Sequence, residues 1–255
     1  SPLVFAQSTA ATDLGTIGAT TAAGAYRPEE AKKGSASSVA PTQASLLATQ
    51  PQSIITATFI EQAVTPLADF NAVARIAPSV GGGVSANGPG LAETKVTLRG
   101  FQDGEYNITY DGVPFSDQND PTHHSNTFFP SNTIETLVVD RGPGNASQLG
   151  QATFGGSINL FSRATREDSS VEAKLSFGSY NTQLERLFLQ SGAIDQLGGA
   201  EFVLSGQHIK SDGARTYSPF KSNNLFGKVM IPIGLGEFSP ADVERGRTAP
   251  RTMVR

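Results

Sequence analysis

The sequence predicts an α+β domain followed by a series of antiparallel β-strands, and three observations support this fold class. A strand pattern from Ile134 to Asp140 enters an Arg-Gly-Pro turn, and a second apolar strand follows from Ser157 to Phe161. Upstream, helix signals lie between Thr65 and Pro78. After residue 163, segments of about ten residues alternate apolar and polar side chains, which is the periodicity of strands with two different faces.

The turn after the first of these strands carries two glycines and a charge. Gly142 and Gly144 allow backbone angles that other residues resist, and Pro143 fixes φ between them. The pattern predicts a tight, buried strand–turn–strand unit with the guanidinium of Arg141 at its bend. An ordinary hairpin-like corner with a solvated arginine explains the same spacing.

Composition argues against several classes of function. The chain has 255 residues, of which 38% are hydrophobic, and a formal net charge of −4. This charge, together with the absence of a basic run, argues against a nucleic-acid partner. The absence of cysteine excludes thiol catalysis, disulfides and Cys-ligated zinc. No apolar run approaches the roughly 20 residues of a membrane-spanning helix, so any contact with the bilayer core must be made by β-strands.

Residues 1–50 are predicted to be a mobile N-terminal arm. Ser1 to Gln7 fits either the remnant of a signal peptide or a disordered start. Residues 8–45 carry too few large apolar groups to offset the entropy of ordering. One short island in this arm suits strand addition to the sheet edge of a partner, although chance apolar residues in a linker explain it as well. The island consists of Asp13, Leu14, Gly15, Thr16 and Ile17.

The ordered part of the chain is predicted to begin with a strand and a helix. Ser53 to Thr58 has the pattern of a strand. Thr65 and Pro66 are predicted to cap and open the helix, and Asp69 lies in its first turn, where the helix dipole favours negative charge. Pro78 ends the helix. Two further strands are predicted over Lys95–Leu98 and Glu105–Tyr110.

Two loops are the candidates for ligand contact. Ser79–Gly90 is rich in glycine but lacks the Lys-Ser/Thr ending of a P-loop, so a flexible surface loop is the preferred interpretation. Phe115–Pro130 holds His123 and His124, whose side chains leave neighbouring backbone positions in different directions. Because His208 is the only other histidine, no metal site is predicted. The two loop histidines are expected to be exposed, where they would suit a polar ligand surface.

The second half of the chain predicts four alternating strands. Such segments are typical of the wall of a membrane β-barrel, and a soluble antiparallel sheet with one wet face gives the same alternation. Residues 237–255 lack the alternation and are predicted to be an irregular tail. The four segments are Ser170–Phe177, Thr182–Gln190, Ala200–Lys210 and Leu225–Ile233.

Five short motifs occur in order between residues 51 and 163. They are Ala77-Pro78-Ser79-Val80, Leu98-Arg99-Gly100-Phe101, Asp111-Gly112-Val113-Pro114, Ile134-Glu135 followed by Arg141-Gly142-Pro143, and Gly155-Gly156-Ser157-Ile158-Asn159. Together, in this order and spacing, they resemble the plug domain of TonB-dependent outer-membrane receptors.

The resemblance implies an α+β plug domain with a mixed β-sheet over residues 51–163. In the family such a plug sits inside an outer-membrane β-barrel of about 22 strands. Residues 164–236 then correspond to the first barrel strands, about four in number, which form an incomplete outer-membrane β-barrel. Because four strands cannot close a barrel, the chain is expected to be a fragment of a longer receptor.

The resemblance also implies a function in the outer membrane of a Gram-negative cell. The receptor would bind a scarce solute such as a ferric siderophore and import it with energy from TonB, coupling two distant sites through the plug. TonB would add a strand to the box at residues 13–17, and the full barrel would contact membrane lipid. No cofactor is implied.

Two sets of side chains receive roles from the resemblance. Arg99, Glu135 and Arg141 would pair with charged groups of the barrel, and such polar pairing keeps the plug removable. The ligand-facing loop residues would be Asn87, Gln118, His123, His124 and Phe128.

The sequence contains no catalytic constellation, so no enzymatic activity is predicted. Asp103, Asp111 and Asp117 lie in turns or loops without a paired nucleophile or base. Two alternatives remain. A β-rich surface binding protein or adhesin without transport would lack a lipid-facing band on its alternating strands. A glycan-active enzyme would need two carboxylates about 5–10 Å apart in a cleft.

Overall fold

The computed structural model describes residues 40–44, 50–83, 85–117, 122–123, 129–143 and 154–231. These residues form a five-stranded sheet, a four-stranded sheet and a small two-stranded sheet. The strands are β1 (Gln52–Thr56), β2 (Val80–Gly82), β3 (Val96–Leu98), β4 (Asn107–Tyr110), β5 (Val113–Pro114), β6 (Ile134–Asp140), β7 (Ser157–Ser162), β8 (Ser169–Gly178), β9 (Thr182–Ser191), β10 (Glu201–Ser211) and β11 (Phe220–Met230). The α-helices are α1 (Ala57–Ala63) and α2 (Phe70–Ala74).

The five-stranded sheet is mixed, as predicted. Its strand order is β1-β6-β7-β4-β5, in which β4 runs parallel to β7 and the other neighbours are antiparallel. β6 and β7 pair from Asp140 opposite Ser157, so the two predicted strands are confirmed as antiparallel neighbours, and residues 144–153 of the connection between them lie outside the described residues. Gly156 closes this unit with a φ of +120°, and a Cβ at this position would lie 2.2 Å from the carbonyl oxygen of Asp140. Only glycine fits so close to the opposing backbone.

Most of the apolar side chains of this sheet lie on one face, because successive residues of a strand point to opposite sides. Ile108, Leu137 and Ile158 have no exposed surface on this face. They belong to one core cluster with Phe70 and Val73 of α2. The main core of the molecule therefore lies between the mixed sheet and the helices.

The opposite face of the sheet carries a row of buried polar side chains that the sequence did not reveal. Asp140, which has no exposed surface, accepts hydrogen bonds from Gln52 Nε2 at 3.0 Å and from Asn159 Nδ2 at 2.9 Å. Thr109 Oγ1 donates to Asn159 Oδ1 at 2.8 Å. These bonds connect β1, β6, β7 and β4 across the sheet.

The helices differ from the predicted one. α1 follows β1 directly, so the strand predicted to run to Thr58 ends at Thr56. α2 begins after Asp69, whose carboxylate accepts a hydrogen bond from the backbone N–H of Ala72 at 3.0 Å and so caps the helix. Thr65 was the wrong cap, because its carbonyl instead closes a turn by accepting from the backbone N–H of Ala68 at 3.0 Å.

The four-stranded sheet, called the wall sheet below, is antiparallel with the order β11-β10-β9-β8. Its first three strands lie where the alternation predicted them. β11 begins at Phe220 rather than Leu225 and ends at Met230 rather than Ile233. Among the described residues, no helix has both the length and the apolar character needed to cross a membrane.

The two faces of the wall sheet differ in their surroundings. The inner face lies against the mixed-sheet domain, where Val203 and Ser205 are each 1% exposed. The outer face is apolar yet exposed, with Leu225 at 77%. Its large exposed apolar residues are Val171, Leu175, Phe177, Leu187, Phe202, Leu204, Leu225 and Val229.

Candidate functional site

The candidate site is the polar interface between the mixed-sheet domain and the inner face of the wall sheet. Arg163, which follows β7 and leads into the wall sheet, lies at its centre. Its Nη1 forms an ion pair with Glu61 of α1, and its Nε lies 3.7 Å from Glu135 Oε2. The guanidinium also lies over the ring of Phe188, 5.0 Å from the ring centroid. One arginine therefore contacts a helix, the mixed sheet and the wall sheet.

A second arginine reaches across the interface from the wall side. Arg186 of β9 donates from Nε and Nη2 to Gln207 Oε1 at 2.9 and 2.7 Å, which holds its guanidinium in place. The same Nη2 donates to the backbone carbonyl of Pro66 at 2.7 Å. A hydrogen bond from the charged guanidinium of Arg186 to a neutral carbonyl thus connects the turn before α2 to the wall sheet.

Two further hydrogen bonds cross the same interface. Asn132 Nδ2 donates to Ser205 Oγ at 2.7 Å, and both side chains are buried. Lys228 Nζ of β11 donates to Ser162 Oγ at 2.8 Å and to the carbonyl of Arg163 at 3.3 Å. Polar contacts of this kind exchange readily for water, so they can hold two domains together without fixing them permanently.

Asn87 connects a loop of the mixed-sheet domain to the hairpin between β10 and β11. Its Nδ2 donates to the carbonyl oxygen of Ser218 at 3.2 Å and to the Oγ of Ser218 at 2.8 Å. Its Oδ1 accepts from the backbone N–H of Ala214 at 3.1 Å. A small apolar cluster lies beside it, made by Leu91, Leu184 and Ile209. The amide of this predicted ligand-facing residue is therefore engaged by the wall hairpin.

A cavity of about 330 Å³ opens within the interface. Its lining combines charged side chains with apolar ones, among them Ile60, Val64 and Phe188. Within the described residues, no group of three or more His, Asp or Glu side chains is placed to hold a metal ion. The charged lining residues are Glu61, Arg163, Glu172, Lys174 and Arg186.

His123 is buried, so the expectation that it is exposed was wrong. Its side chain is 4% exposed, its Nδ1 lies 2.6 Å from Asp103 Oδ1, and its backbone N–H donates to Asp103 Oδ2 at 2.9 Å. The ring stacks on Tyr106 and makes an edge contact with Phe115, with centroids 6.2 and 5.4 Å away. Lys95 Nζ lies 3.4 Å from Asp103 Oδ2. These contacts anchor the middle of the 115–130 segment to the core.

The electrostatics of this anchor favour a charged Asp103. Burial alone would raise the pKa of the Asp103 carboxyl, but the hydrogen bonds and charge of His123, with the charge of Lys95, outweigh it and lower the pKa. Burial, reinforced by the negative charge of Asp103, raises the pKa of Tyr106, whose hydroxyl donates to Val96 O at 2.9 Å. Partial burial also raises the pKa of Tyr110, whose hydroxyl donates to Thr133 O at 3.1 Å.

The three residues predicted to pair with the barrel have different surroundings. Arg99 is exposed and donates to the carbonyl of Arg141 at 2.8 Å. Arg141 donates from Nη1 to Ser53 Oγ at 2.7 Å. These two arginines are thus bonded within the mixed-sheet domain, whereas Glu135 lies near Arg163 and 3.5 Å from Arg166 Nη2, at the junction with the wall sheet.

Several predicted site residues lie outside the described part of the chain. They are Asp13, Leu14, Gly15, Thr16, Ile17, Gln118, His124 and Phe128. Sequence reasoning missed interface residues such as Arg186 and Asn132. Arg186 had one usable signal, because it lies among Leu184, Leu187 and Phe188, and a buried polar group needs partners. Asn132 lies between Ser131 and Thr133, which give no sign of burial.

Comparison with known proteins identifies the mixed-sheet domain. Residues 46–157 match the family model described as the TonB-dependent Receptor Plug Domain. The mixed-sheet domain is a TonB-dependent receptor plug. This family consists of outer-membrane receptors and not of enzymes, which agrees with the prediction of no catalytic activity. The sequence-based assignment to this family is confirmed, and the domain is called the plug from here on.

Several solved structures resemble this chain over about three quarters of its length. The structure of FpvAI in complex with pyocin S2 matches with a TM-score of 0.61 and 17% identity over 73% of this chain and 23% of that chain. P. aeruginosa FpvA bound to heterologous pyoverdines matches with a TM-score of 0.59 and 16% identity, with the same coverage. The alcaligin outer-membrane receptor FauA from Bordetella pertussis matches with a TM-score of 0.55 and 17% identity over 74% of this chain and 30% of that chain.

At these identities the likeness is one of fold. The chain spans about a quarter of the length of the first two receptors it matches. No curated protein gives a significant match in sequence.

Proposed function

We propose that this chain is the plug and first wall strands of an outer-membrane receptor that imports a scarce solute with energy from TonB. The observation that carries the proposal is the polar interface, in which a plug rests on the inner face of an antiparallel wall sheet through Arg163, Arg186 and Asn132. A plug that has to move out of a barrel during transport needs contacts with the barrel wall that water can replace. A large apolar interface would make its removal costly.

The outer face of the wall sheet supports placement in the outer membrane of a Gram-negative cell. Leu175, Leu225 and Val229 are each more than half exposed on this face. A contiguous apolar band is unfavourable in water and favourable against lipid tails. An adhesin without transport gives no reason for such a band, so this observation favours the receptor.

The proposed solute is a ferric siderophore or a similar chelate. FpvA has been solved bound to pyoverdines and FauA is an alcaligin receptor, and this chain resembles both in fold over about three quarters of its length. Asn87 and the 115–130 segment would help to form the ligand surface. His123 would contribute by holding that segment in position, since its own ring is buried.

TonB is the proposed energy partner, and it would add a strand to the arm at residues 13–17. The test deletes residues 8–18 from the gene in its own host. Surface binding and uptake of radioactive iron are then measured, with the iron supplied on siderophores collected from that host's iron-poor medium. We expect binding to stay and uptake to be lost, because only the coupling step is removed.

A matched deletion separates this result from a general defect in the arm. Removing residues 28–38, which lie in the same low-complexity arm but outside the box, should leave uptake unchanged. Normal uptake after deletion of residues 8–18 would refute the TonB box. Loss of the whole gene without any change in binding or uptake would refute the receptor for these siderophores.

A further inference from the structure

Along β10 and β11 the outer face of the wall sheet changes from apolar to basic, whereas β8 keeps the exposed Phe177 at the level of the basic residues. Near the β9–β10 connection it exposes Phe202 and Val229, which are partners across β10 and β11. Leu225 continues the apolar band toward the middle of β11. Beyond it, toward the β8–β9 turn and the β10–β11 hairpin, the same face carries Lys221 on β11 and Lys210 on β10. Both lysines are exposed.

The two lysines are placed against each other. Lys210 and Lys221 are direct cross-strand partners in the antiparallel pair of β10 and β11. Side chains at such positions start about 5 Å apart, and like charges directly opposite each other are destabilising. Neither ammonium group makes a hydrogen bond or an ion pair within the described part of the chain. The two ammonium groups are therefore free to donate hydrogen bonds to a ligand outside the sheet.

The neighbouring groups leave this charge largely unbalanced. Glu185 is the one carboxylate on the outer face of the four described strands, and it lies opposite His208, one row further from the hairpin than the lysines. His208 Nδ1 is 2.6 Å from Asn223 Oδ1, so the imidazole is already engaged. The charges of Asp212 and Arg215 in the adjoining hairpin offset each other.

Tyrosines mark the level of the lysines relative to a bilayer. Tyr180 in the β8–β9 turn is 57% exposed, and Tyr217 in the β10–β11 hairpin is 98% exposed. Tyrosine side chains concentrate at the boundary between membrane and water. Lys210 and Lys221 lie between these tyrosines and the apolar band, which is the level of lipid head groups.

We propose that Lys210 and Lys221 together bind the phosphate of an anionic membrane lipid. This inference rests on the proposed function, because it requires the wall sheet to lie in a membrane. One phosphate can accept hydrogen bonds from both ammonium groups, which removes their mutual repulsion, while the acyl chains of the lipid lie on the apolar band beside Leu225. A strand pair of the wall sheet would thus hold one lipid by head group and tail.

The test measures lipid binding by the full chain. Flotation is compared between vesicles of phosphatidylcholine and vesicles of phosphatidylcholine mixed with phosphatidylglycerol. Because each basic residue near an anionic surface strengthens binding by about fivefold, the two lysines should give an increase of about 30-fold with phosphatidylglycerol. The double variant Lys210→Ser/Lys221→Ser should lose most of that increase and keep its binding to phosphatidylcholine. Lys32→Ser/Lys33→Ser removes the same charge from the arm and should keep the increase.

A second readout on the unaltered chain does not depend on how a variant folds. Acylation of each lysine is followed by mass spectrometry. Phosphatidylglycerol vesicles should slow the reaction of Lys210 and Lys221 several-fold relative to phosphatidylcholine vesicles, and Lys95 of the plug should react equally in both. Inorganic phosphate alone should protect neither lysine.

The outcomes separate the two proposals. Binding to phosphatidylcholine without any increase or protection from phosphatidylglycerol would overturn the lipid site and leave membrane placement standing. An equal loss in the arm variant, or equal protection by inorganic phosphate, would also overturn the lipid site. Failure to bind either kind of vesicle would overturn the lipid site and the contact of the apolar band with lipid in this chain.

Discussion

The plug and the wall sheet are both built from β-strands, but their strands meet opposite surroundings. In the plug, Leu137 and Ile158 have no exposed surface, and the helices cover them. In the wall sheet, Leu225 is 77% exposed on one face, and Ser205 is 1% exposed on the other, against the plug. Alternation therefore identifies two faces but not the medium that each face contacts. In the wall sheet the apolar face is therefore the exposed one and the polar face is the covered one, which is the reverse of an ordinary soluble sheet.

The largest expected effect tests how tightly the plug backbone is packed. Gly90 has a φ of +72°, and a Cβ there would lie 1.6 Å from the carbonyl oxygen of Leu67. Gly90→Ala should lower the free energy of unfolding by more than about 4 kcal/mol. The alanine would have to adopt a strained positive φ, and the backbone at Leu67 would also have to shift to make room for its Cβ. Urea unfolding followed by circular dichroism measures it.

Gly100→Ala is the matched control for that variant. Gly100 has a similarly positive φ of +88°, but a Cβ there would meet nothing within 4 Å. Gly100→Ala should therefore lower the free energy of unfolding by only about 1 kcal/mol, because it adds backbone strain alone. Equal losses in the two variants would mean that the close approach at Gly90 does not exist.

The next prediction compares a leucine of each region. Leu137→Ala removes a fully buried side chain from the plug core and should lower the free energy of unfolding of the plug by about 3 kcal/mol. Leu225→Ala changes an exposed side chain of the outer face and should shift it by less than about 0.5 kcal/mol. Hydrogen exchange of the β6 amides reports on the plug in both variants. A similar loss of protection from both would break the contrast between the regions.

How far the sequence predicted this molecule depends on the range of the interactions. β6, β7 and the plug motifs depend on local patterns, and they were predicted correctly. α1 was missed because its residues include Thr58, Phe59 and Ile60, which favour strands by themselves. The start of β11 was missed because its first half exposes polar side chains on both faces.

The polar interface depends on pairs that are far apart in the chain, which explains why it was not predicted. Arg186 and Pro66, or Asn132 and Ser205, have no shared local pattern. The same holds for His123, which is buried because Asp103, 20 residues earlier, provides its partner. A lone histidine in a polar loop gives no sign of that contact.

A smaller effect is expected from pH at this anchor. Because the folded pKa of Asp103 is lowered, the carboxylate contributes stability above its ordinary pKa, and that contribution is lost as the pH falls through the folded value. Asp103→Asn should lower the free energy of unfolding by about 2 kcal/mol near neutral pH. Below the folded pKa of Asp103, where its carboxyl is protonated, the variant and the unaltered chain should converge. Parallel urea titrations with a constant difference at all pH values would contradict the charged anchor.

The most direct test of the central claim uses two adjacent residues of β10 in a chain that has no native cysteine. Leu204→Cys lies on the outer face, and Ser205→Cys lies on the inner face against the plug. In membranes, a lipid-confined maleimide should label the cysteine at 204, and neither that reagent nor a water-soluble one should label the cysteine at 205. Labelling of both positions by the water-soluble reagent alone would contradict a wall sheet that stands between lipid and plug.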